Sequence, residues 1–211
     1  MIAQFRNYFL LLKIANYNKT LPMKTFRRIL LAVILLIAVV AVVGMLVLNN
    51  IRNRAIPDYA ENMDLDNLTE EVTVIRDSLA IPHVYAQNEE DLYRVVGYIT
   101  AQDRLWQMDL MRRITTGRLS EIFGEDMLTA DQMFRAFGFS QKSEKVLKET
   151  DPEIVKCLNA YTDGVNQFIE KNQKKLSFEF ALLGYKPEKW TVVHTTNLIG
   201  YMAWDLTSGW S

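Results

Sequence analysis

The sequence predicts an α+β chain, mostly helical with an N-terminal β-hairpin, preceded by one transmembrane helix. Three observations carry this. An uncharged run, ILLAVILLIAVVAVVGMLVL, fills residues 29–48. Two short β-rich segments with alternating polarity follow, at residues 71–77 and 82–86. Beyond Asn88, apolar residues recur at the helical period between residues that cap and stop helices.

The uncharged run comes first in the chain and dominates its hydropathy. Twenty apolar residues at helical rise match a hydrocarbon layer about 30 Å thick. A core helix of that length would carry a polar stripe. Lys24, Arg27 and Arg28 precede the run, and Arg52 and Arg54 follow it. That asymmetry places the N-terminus in the cytoplasm and the rest outside it. A cleavable signal peptide is the rival reading, but its apolar core is about 7–15 residues and ends in a small-x-small site. Val47-Leu48-Asn49 offers none, so an uncleaved anchor is expected. Met23 opens MKTFRRILL, which reads as an ordinary start, so residues 1–22 are either an over-called extension or a short cytoplasmic tail. The expected plan is a cytoplasmic segment 1–28, an anchor 29–48, a polar linker 49–70 carrying Pro57, Asp58, Glu61, Asp64 and Asp66, and a globular part 71–211.

Composition narrows the function classes. The net charge is −1 over 211 residues, and only the N-terminus is basic, so nothing points to a nucleic-acid partner. The single cysteine, Cys157, can form neither an intramolecular disulfide nor a thiolate metal cluster, and is expected as a small buried apolar residue. Two histidines, His83 and His194, are too few for a histidine-rich metal site.

In the globular part, Val72, Val74 and Arg76 alternate with Thr73 and Ile75. Ser78-Leu79-Ala80 turns the chain, and residues 82–86 return as a second strand. Asn88 followed by Glu89, Glu90 and Asp91 marks a helix start, and Gly117 a stop near Thr116. Val95, Ile99, Trp106 and Leu110, with Tyr98, Ala101, Leu105 and Met108, give this helix a broad apolar face. Gly97 inside it costs about 1 kcal/mol relative to Ala, which a close backbone crossing would justify. Thr129-Ala130-Asp131-Gln132 fits a capping box opening a second helix. Asp151-Pro152 opens a third, with Ile154, Val155, Leu158, Tyr161, Val165, Phe168 and Ile169 on its apolar side and Lys171, Lys174 and Lys175 at its end. Residues 186–190 read as a loop, and Thr191 as the cap of a last helix through Leu206. Strands are scarce for a self-sufficient domain, so an incomplete one is expected.

Several strings in order carry a family resemblance. Val74-Ile75-Arg76-Asp77 with Ile81-Pro82-His83-Val84-Tyr85-Ala86 resembles the opening strands of penicillin acylases. Gly97-Tyr98-Ile99-Thr100-Ala101-Gln102-Asp103-Arg104-Leu105-Trp106-Gln107-Met108-Asp109 is similar to their helical signature. Arg112-Arg113 and Gly117-Arg118-Leu119-Ser120-Glu121 continue it. Ala160-Tyr161-Thr162-Asp163-Gly164-Val165-Asn166, Glu179-Phe180, Leu183-Gly184-Tyr185 and Pro187-Glu188-x-Trp190 extend the likeness over about residues 72–206. The family includes penicillin, cephalosporin and acyl-homoserine-lactone acylases.

The resemblance implies an αββα N-terminal-nucleophile hydrolase whose precursor cuts itself into a smaller N-terminal and a larger C-terminal chain. In such enzymes the nucleophile is the Ser that opens the larger chain, in a Ser-Asn-x-Trp context, and its own α-amino group is the base. No such string occurs here, and Ser211 stands at the wrong end of the chain, so no catalytic residue is assigned. The partners implied are the C-terminal chain and a small acyl-amide substrate. By position, Met202 and Leu206 match the family's apolar acyl-pocket wall; their alternative reading is ordinary core. Relatives often bind calcium through a Glu shortly after that helix, and no such ligand can be named here, so no metal ligand is assigned. Calcium stays a cofactor of the complete enzyme only.

Arg76-Asp77 and Asp103-Arg104 suggest acid–base chemistry less than buried ion pairs that fix the core. His83 reads as a hydrogen-bonded structural residue rather than a base. His194 lies where relatives carry an acid at a helix start, and is expected as a solvated first-turn residue. Trp106 and Met108 read as core. The leading functional expectation is an extracytoplasmic acylase precursor fragment, inactive alone. A membrane-tethered, non-catalytic module that kept the scaffold and binds a partner is the alternative, and a small helical membrane protein with chance similarity is a weaker one.

Overall fold

The computed structural model of the chain describes residues 23–54, 56–57, 59 and 62–208. Residues 1–22, Asp58, Glu61 and Ser211, which entered the sequence reading, lie outside the described residues. Contacts divide the chain into two units, residues 1–50 and 51–211.

The described residues of the first unit lie in helix α1, Met23–Arg54. Its segment Met23–Ile51 is long and apolar enough to cross a membrane, by length and composition, and none of its most apolar window is buried. A soluble core helix would hide such a window. This one exposes Leu35, Val40 and Leu46 by more than 60% each.

The second unit opens with strands β1, Thr73–Arg76, and β2, Pro82–Tyr85, paired antiparallel with Val74 opposite Val84 and Ile75 opposite His83. The inward residues Val72, Val74 and Val84 pack against the core. Asp77 organises the turn by accepting from the amides of Leu79 (2.8 Å) and Ile81 (2.9 Å). Residues 62–70, expected as polar tether, are docked. Leu65 is buried, and Gln167 bonds both the amide and the carbonyl of Asp66, each at 2.9 Å.

Helix α2, Glu89–Thr116, has the expected bounds. Asn88 accepts from the Asp91 amide, and Gly117 closes the end with left-handed backbone. Asp91 itself is fully buried. It accepts from the amides of Thr69 and Glu70, from the Thr69 hydroxyl and from Asn88, and these donors overcome burial to hold its carboxyl at about 2. The helical periodicity gave no sign of the break at Arg104, whose backbone (φ −142°, ψ 21°) kinks α2.

The core forms where α2 crosses α6, Pro152–Lys171, which is capped by Asp151 as expected. Val95, Tyr98, Ile99, Ala101 and Leu105 meet Val165, Phe168 and Ile169, and Tyr98 sets its ring edge-on to Phe168 at 5.4 Å. The crossing is close enough to require glycine on both sides. A Cβ at Gly97 would collide with the Tyr161 carbonyl, and one at Gly164 with the Arg94 carbonyl. The expectation for Gly97 is borne out, and Gly164 is its unforeseen counterpart. Two other expectations for α6 need correction. Ile154 is 55% exposed, because it lies in the first turn, before the crossing. Cys157 is half-buried rather than an apolar core residue, with its thiol donating to Glu89 at 3.7 Å and pushed up by burial and that carboxylate.

Between α2 and α6 the chain forms α3, Ser120–Phe123, a 3₁₀ turn at Glu125–Met127, α4, Leu128–Phe137, and α5, Phe139–Glu149. The predicted capping box at Thr129 is wrong. Helix α4 begins directly from the 3₁₀ turn without a side-chain cap. Asp131, inside the expected box, is buried and accepts from the amides of Leu119 (2.7 Å) and Ser120 (2.9 Å), so it caps α3. The single second helix is divided at Gly138, which takes φ 65°. After α6 come α7, Phe178–Leu183, which the sequence reading left without an element, and α8, Val192–Ser208.

Candidate functional site

Helix α8 is fastened at its start by the residue before it. Trp190 is 3% exposed. Its amide donates to Asn166 Oδ1 at 2.8 Å, and its carbonyl accepts from Asn166 Nδ2 at 3.0 Å, so one α6 side chain satisfies both backbone groups. Its indole Nε1 donates to Thr195 Oγ1 at 2.9 Å. Thr191 caps the helix as expected. The His194 amide donates to Thr191 Oγ1 at 3.4 Å, and the Thr191 amide donates back to His194 Nδ1 at 3.1 Å. This is a capping box with imidazole in place of the usual carboxylate.

His194 therefore differs from the expected solvated residue. It is half-buried, with its ring edge-on to Trp190 at 5.3 Å. Burial, aided by the positive charge of Arg112, pushes its pKa down to about 4. At neutral pH it is uncharged, and Nδ1 carries the lone pair that the Thr191 amide needs.

Beneath this junction lies a charge network that the sequence reading did not assemble. Asp109 and Arg112 are buried at 2% and 1% exposure. Arg112 bonds Asp109 at 2.5 Å and Glu188 at 2.7 Å; Arg113 bonds Asp109 at 3.0 Å and Glu121 at 2.7 Å. Arg118 clasps both Glu121 and Glu188, and pulls the Glu188 carboxyl down to about 2 against the opposing effect of burial. Burial and nearby Asp109 raise the Tyr185 hydroxyl. Three guanidinium groups thus face three carboxylates. Charges so fully paired hold structure and leave no free acid or base for chemistry. Their effect is to pin the loop 184–190 that delivers Trp190 and α8. The signal was present in the 109, 112, 113 spacing of one helix face, but nothing local names Glu188 as the fourth member.

The inner side of α8 buries Thr196 and Asn197, with Asn197 Nδ2 donating to Ser140 Oγ at 3.1 Å. Trp204 joins an aromatic cluster, 5.4 Å from Phe134 and 5.5 Å from Phe137. The outer side is different. Ile199, Met202 and Leu206 are 67%, 58% and 68% exposed and share one face by their spacing. Met202 and Leu206 are thus exposed rather than buried among the described residues. Beside them a cleft of about 390 Å³ opens between α5 and α8, lined by Phe137, Phe139, Val146, Ile199 and Trp204 with Lys142.

The other sequence candidates have structural roles. Arg76 grips Asp103 with two contacts, 2.9 and 3.1 Å, lies over the Tyr59 ring at 4.0 Å, and ties β1 to α2. The pair is only partly buried, at 13% and 24% side-chain exposure, and Arg104 pairs with Gln107 instead of Asp103, because the kink turns it away. His83 lies 3.4 Å from Asp77, as a hydrogen-bonded residue of the hairpin. Trp106 and Met108 pack against the core. Among the described residues no three His, Cys, Asp or Glu side chains are grouped to hold a metal.

Comparison with known proteins places this architecture. The penicillin amidase family profile matches residues 71–211. The chain is 34% identical to the penicillin acylase 2 proenzyme of Pseudomonas sp. (strain SE83) over 156 residues, 74% of this chain and 20% of that protein. It is 32% identical to penicillin G acylase of Escherichia coli, over 57% of this chain and 15% of that one. It is 31% identical to the acyl-homoserine lactone acylase QuiP of Pseudomonas fluorescens (strain Pf0-1), over 64% of this chain and 16% of that protein. Among solved structures it is similar to a thermostable penicillin G acylase from Alcaligenes faecalis, with TM-score 0.61 and 28% identity over 67% of this chain and 76% of that one. The chain thus spans a fifth or less of the length of these curated relatives.

Proposed function

Since the chain belongs to the penicillin amidase family, we propose that it is the N-terminal portion of a hydrolase that cleaves the carbon–nitrogen bond of linear acyl amides. Its relatives by name are penicillin and acyl-homoserine lactone acylases, and each is several times longer than the matched region. The reactive group in this reading is a Ser at the start of a second, larger chain of the same precursor, within an αββα fold that both chains build. Its hydroxyl attacks the amide carbonyl while its α-amino group, which titrates near 7.7–8, accepts the proton. Base and nucleophile on one residue have a fixed separation.

This chain's contribution is the wall against which the acyl group lies. The observation that carries the reading is the exposed apolar stripe Ile199, Met202 and Leu206 on a helix locked at its start by Asn166, Trp190 and the arginine network. From Ile199 to Leu206 the stripe is about 10 Å long by helical rise. Apolar surface that large on a rigid support matches an acyl chain and the facing polypeptide. The segment Met23–Ile51 anchors the precursor in a membrane, and the basic flank Lys24, Arg27 and Arg28 keeps the N-terminus cytoplasmic, so the catalytic unit is extracytoplasmic.

The test compares this chain with the complete precursor on chromogenic acyl anilides. The precursor is expected to hydrolyse them after self-cleavage, and this chain alone to hydrolyse none. Turnover by this chain that survives Ser211→Ala would overturn the assignment of the nucleophile to the second chain. A complete precursor that never cleaves amides would favour the tethered binding module.

A further inference from the structure

We propose that the cleft between α5 and α8 binds a free fatty acid, its alkyl chain against the aromatic lining and its carboxylate on Lys142 and Ser143. The proposal goes beyond the acyl-wall reading. The cleft borders the exposed stripe at Ile199, but half of its lining comes from α5 and the residues before it, which the stripe does not use. Its floor is fixed where Phe139 lies on Gly200, so closely that a Cβ there would stand 2.8 Å from the ring. Phe137 and Trp204, 5.5 Å apart, and half-exposed Val146 add to the apolar lining. An apolar cavity of about 150 Å³ accommodates benzene, roughly 25 Å³ per carbon. At about 390 Å³ the cleft has room for an alkyl chain of about eight to ten carbons.

The polar groups choose the head of the ligand. No carboxylate lines the cleft, and Lys142 is its only charged side chain. Ser143, the next residue on α5, also lines it and is 5% exposed. Among the described residues neither side chain has a hydrogen-bond or ion-pair partner. A nearly buried hydroxyl without a partner costs stability until something supplies one. A carboxylate answers both groups at once, because it accepts from the hydroxyl and pairs with the ammonium. A neutral head lacks the charge, and an ammonium head is repelled by Lys142.

The experiment titrates the complete precursor in lipid nanodiscs with octanoate, octanol and octanoyl anilide by calorimetry, with empty nanodiscs as the blank. At low salt octanoate is expected to bind about fivefold more tightly than the two neutral probes, a margin sized for a partly exposed ion pair with one added hydrogen bond. Lys142→Gln removes the margin and Lys142→Arg keeps it, which separates charge from folding damage. From hexanoate to octanoate the affinity rises about fourfold per methylene. Val146→Trp fills the cleft from an exposed position and weakens octanoate at least tenfold, with melting temperature as the control for folding. Octanoate no tighter than octanol, or a margin that survives Lys142→Gln, overturns the proposal. So does unchanged binding in Val146→Trp. Anilide tighter than octanoate assigns the cleft to the acyl portion of the substrate and overturns it too, as does binding to this chain but not to the complete precursor, which makes the cleft an interface with the second chain. These readouts need no amide hydrolysis, so they leave the amidase reading to its own test.

Discussion

The crossing of α2 and α6 and the outer face of α8 are both rich in apolar and small residues, yet they end in opposite states. At the crossing, Gly97 and Gly164 admit a neighbouring backbone, Val165 and Ala101 are wholly buried, and ring packing fills the remaining space. On the outer face of α8, Ile199, Met202 and Leu206 remain exposed although the inner face of the same helix buries Thr196 and Asn197 and sets Trp204 against Phe134. The difference teaches that the two surfaces answer to different partners. The crossing is a finished interface within this chain. The α8 face stays open among the described residues, on a helix whose start is fastened by Trp190, Asn166 and the arginine network.

The largest expected effect breaks the finished side. Gly97→Ala or Gly164→Ala should destabilise the chain by about 3 kcal/mol, because backbone rather than a yielding side chain stands in the way. Urea denaturation in detergent measures it. A change below about 0.5 kcal/mol would mean that the helices do not cross this closely.

An intermediate effect concerns the junction between the two regions. His194 has a folded-state pKa of about 4, below its ordinary 6.5. The unfolded chain therefore binds a proton more readily than the folded one between those values, so stability rises with pH there. That contribution is intact above about 6.5 and is lost as the solution is acidified toward 4. Melting temperature measured across this window should fall on acidification, and His194→Gln should flatten the slope. An unchanged slope in the variant would place the proton uptake elsewhere.

The smallest effect on stability belongs to the outer face. Met202→Ser and Leu206→Ser should each change the stability of this chain by no more than about 0.5 kcal/mol, since both side chains are already in solvent. In the complete precursor the same substitutions should lower kcat/KM for an apolar acyl amide about tenfold. A large loss of stability in the chain alone would show that the stripe is core after all, and the contrast between the two regions would collapse.

Much of the fold was legible before any coordinates, wherever cause and effect lie within one helical turn. Asn88 and Gly117 bound α2, and Asp151-Pro152 opens α6 as written. Misreadings arose where a polar side chain had a choice of partners. Thr129 and Gln132 fit a capping box for their own helix, but no side chain caps it, and Asp131 between them serves amides 11 and 12 residues earlier. The kink at Arg104 and the short helix α7 left no periodic trace, since each is set by what packs around it. For the candidate site, position in the family motifs marked Met202 and Leu206, yet only burial could show them exposed.

The sequence by itself determined the apolar span at residues 29–48, the hairpin, the caps of the long helices and the family strings. Each depends on residues a few positions apart, and their spacing is fixed by covalent geometry. Tertiary structure alone decided which charges meet and which apolar face stays open. Arg112 finds Glu188 across 76 residues, and the choice between a buried and an exposed side of α8 follows from Phe139 arriving at Gly200 and Phe134 at Trp204. Such partners are selected by the competition among all surfaces for burial, a property of the folded chain that no local pattern contains.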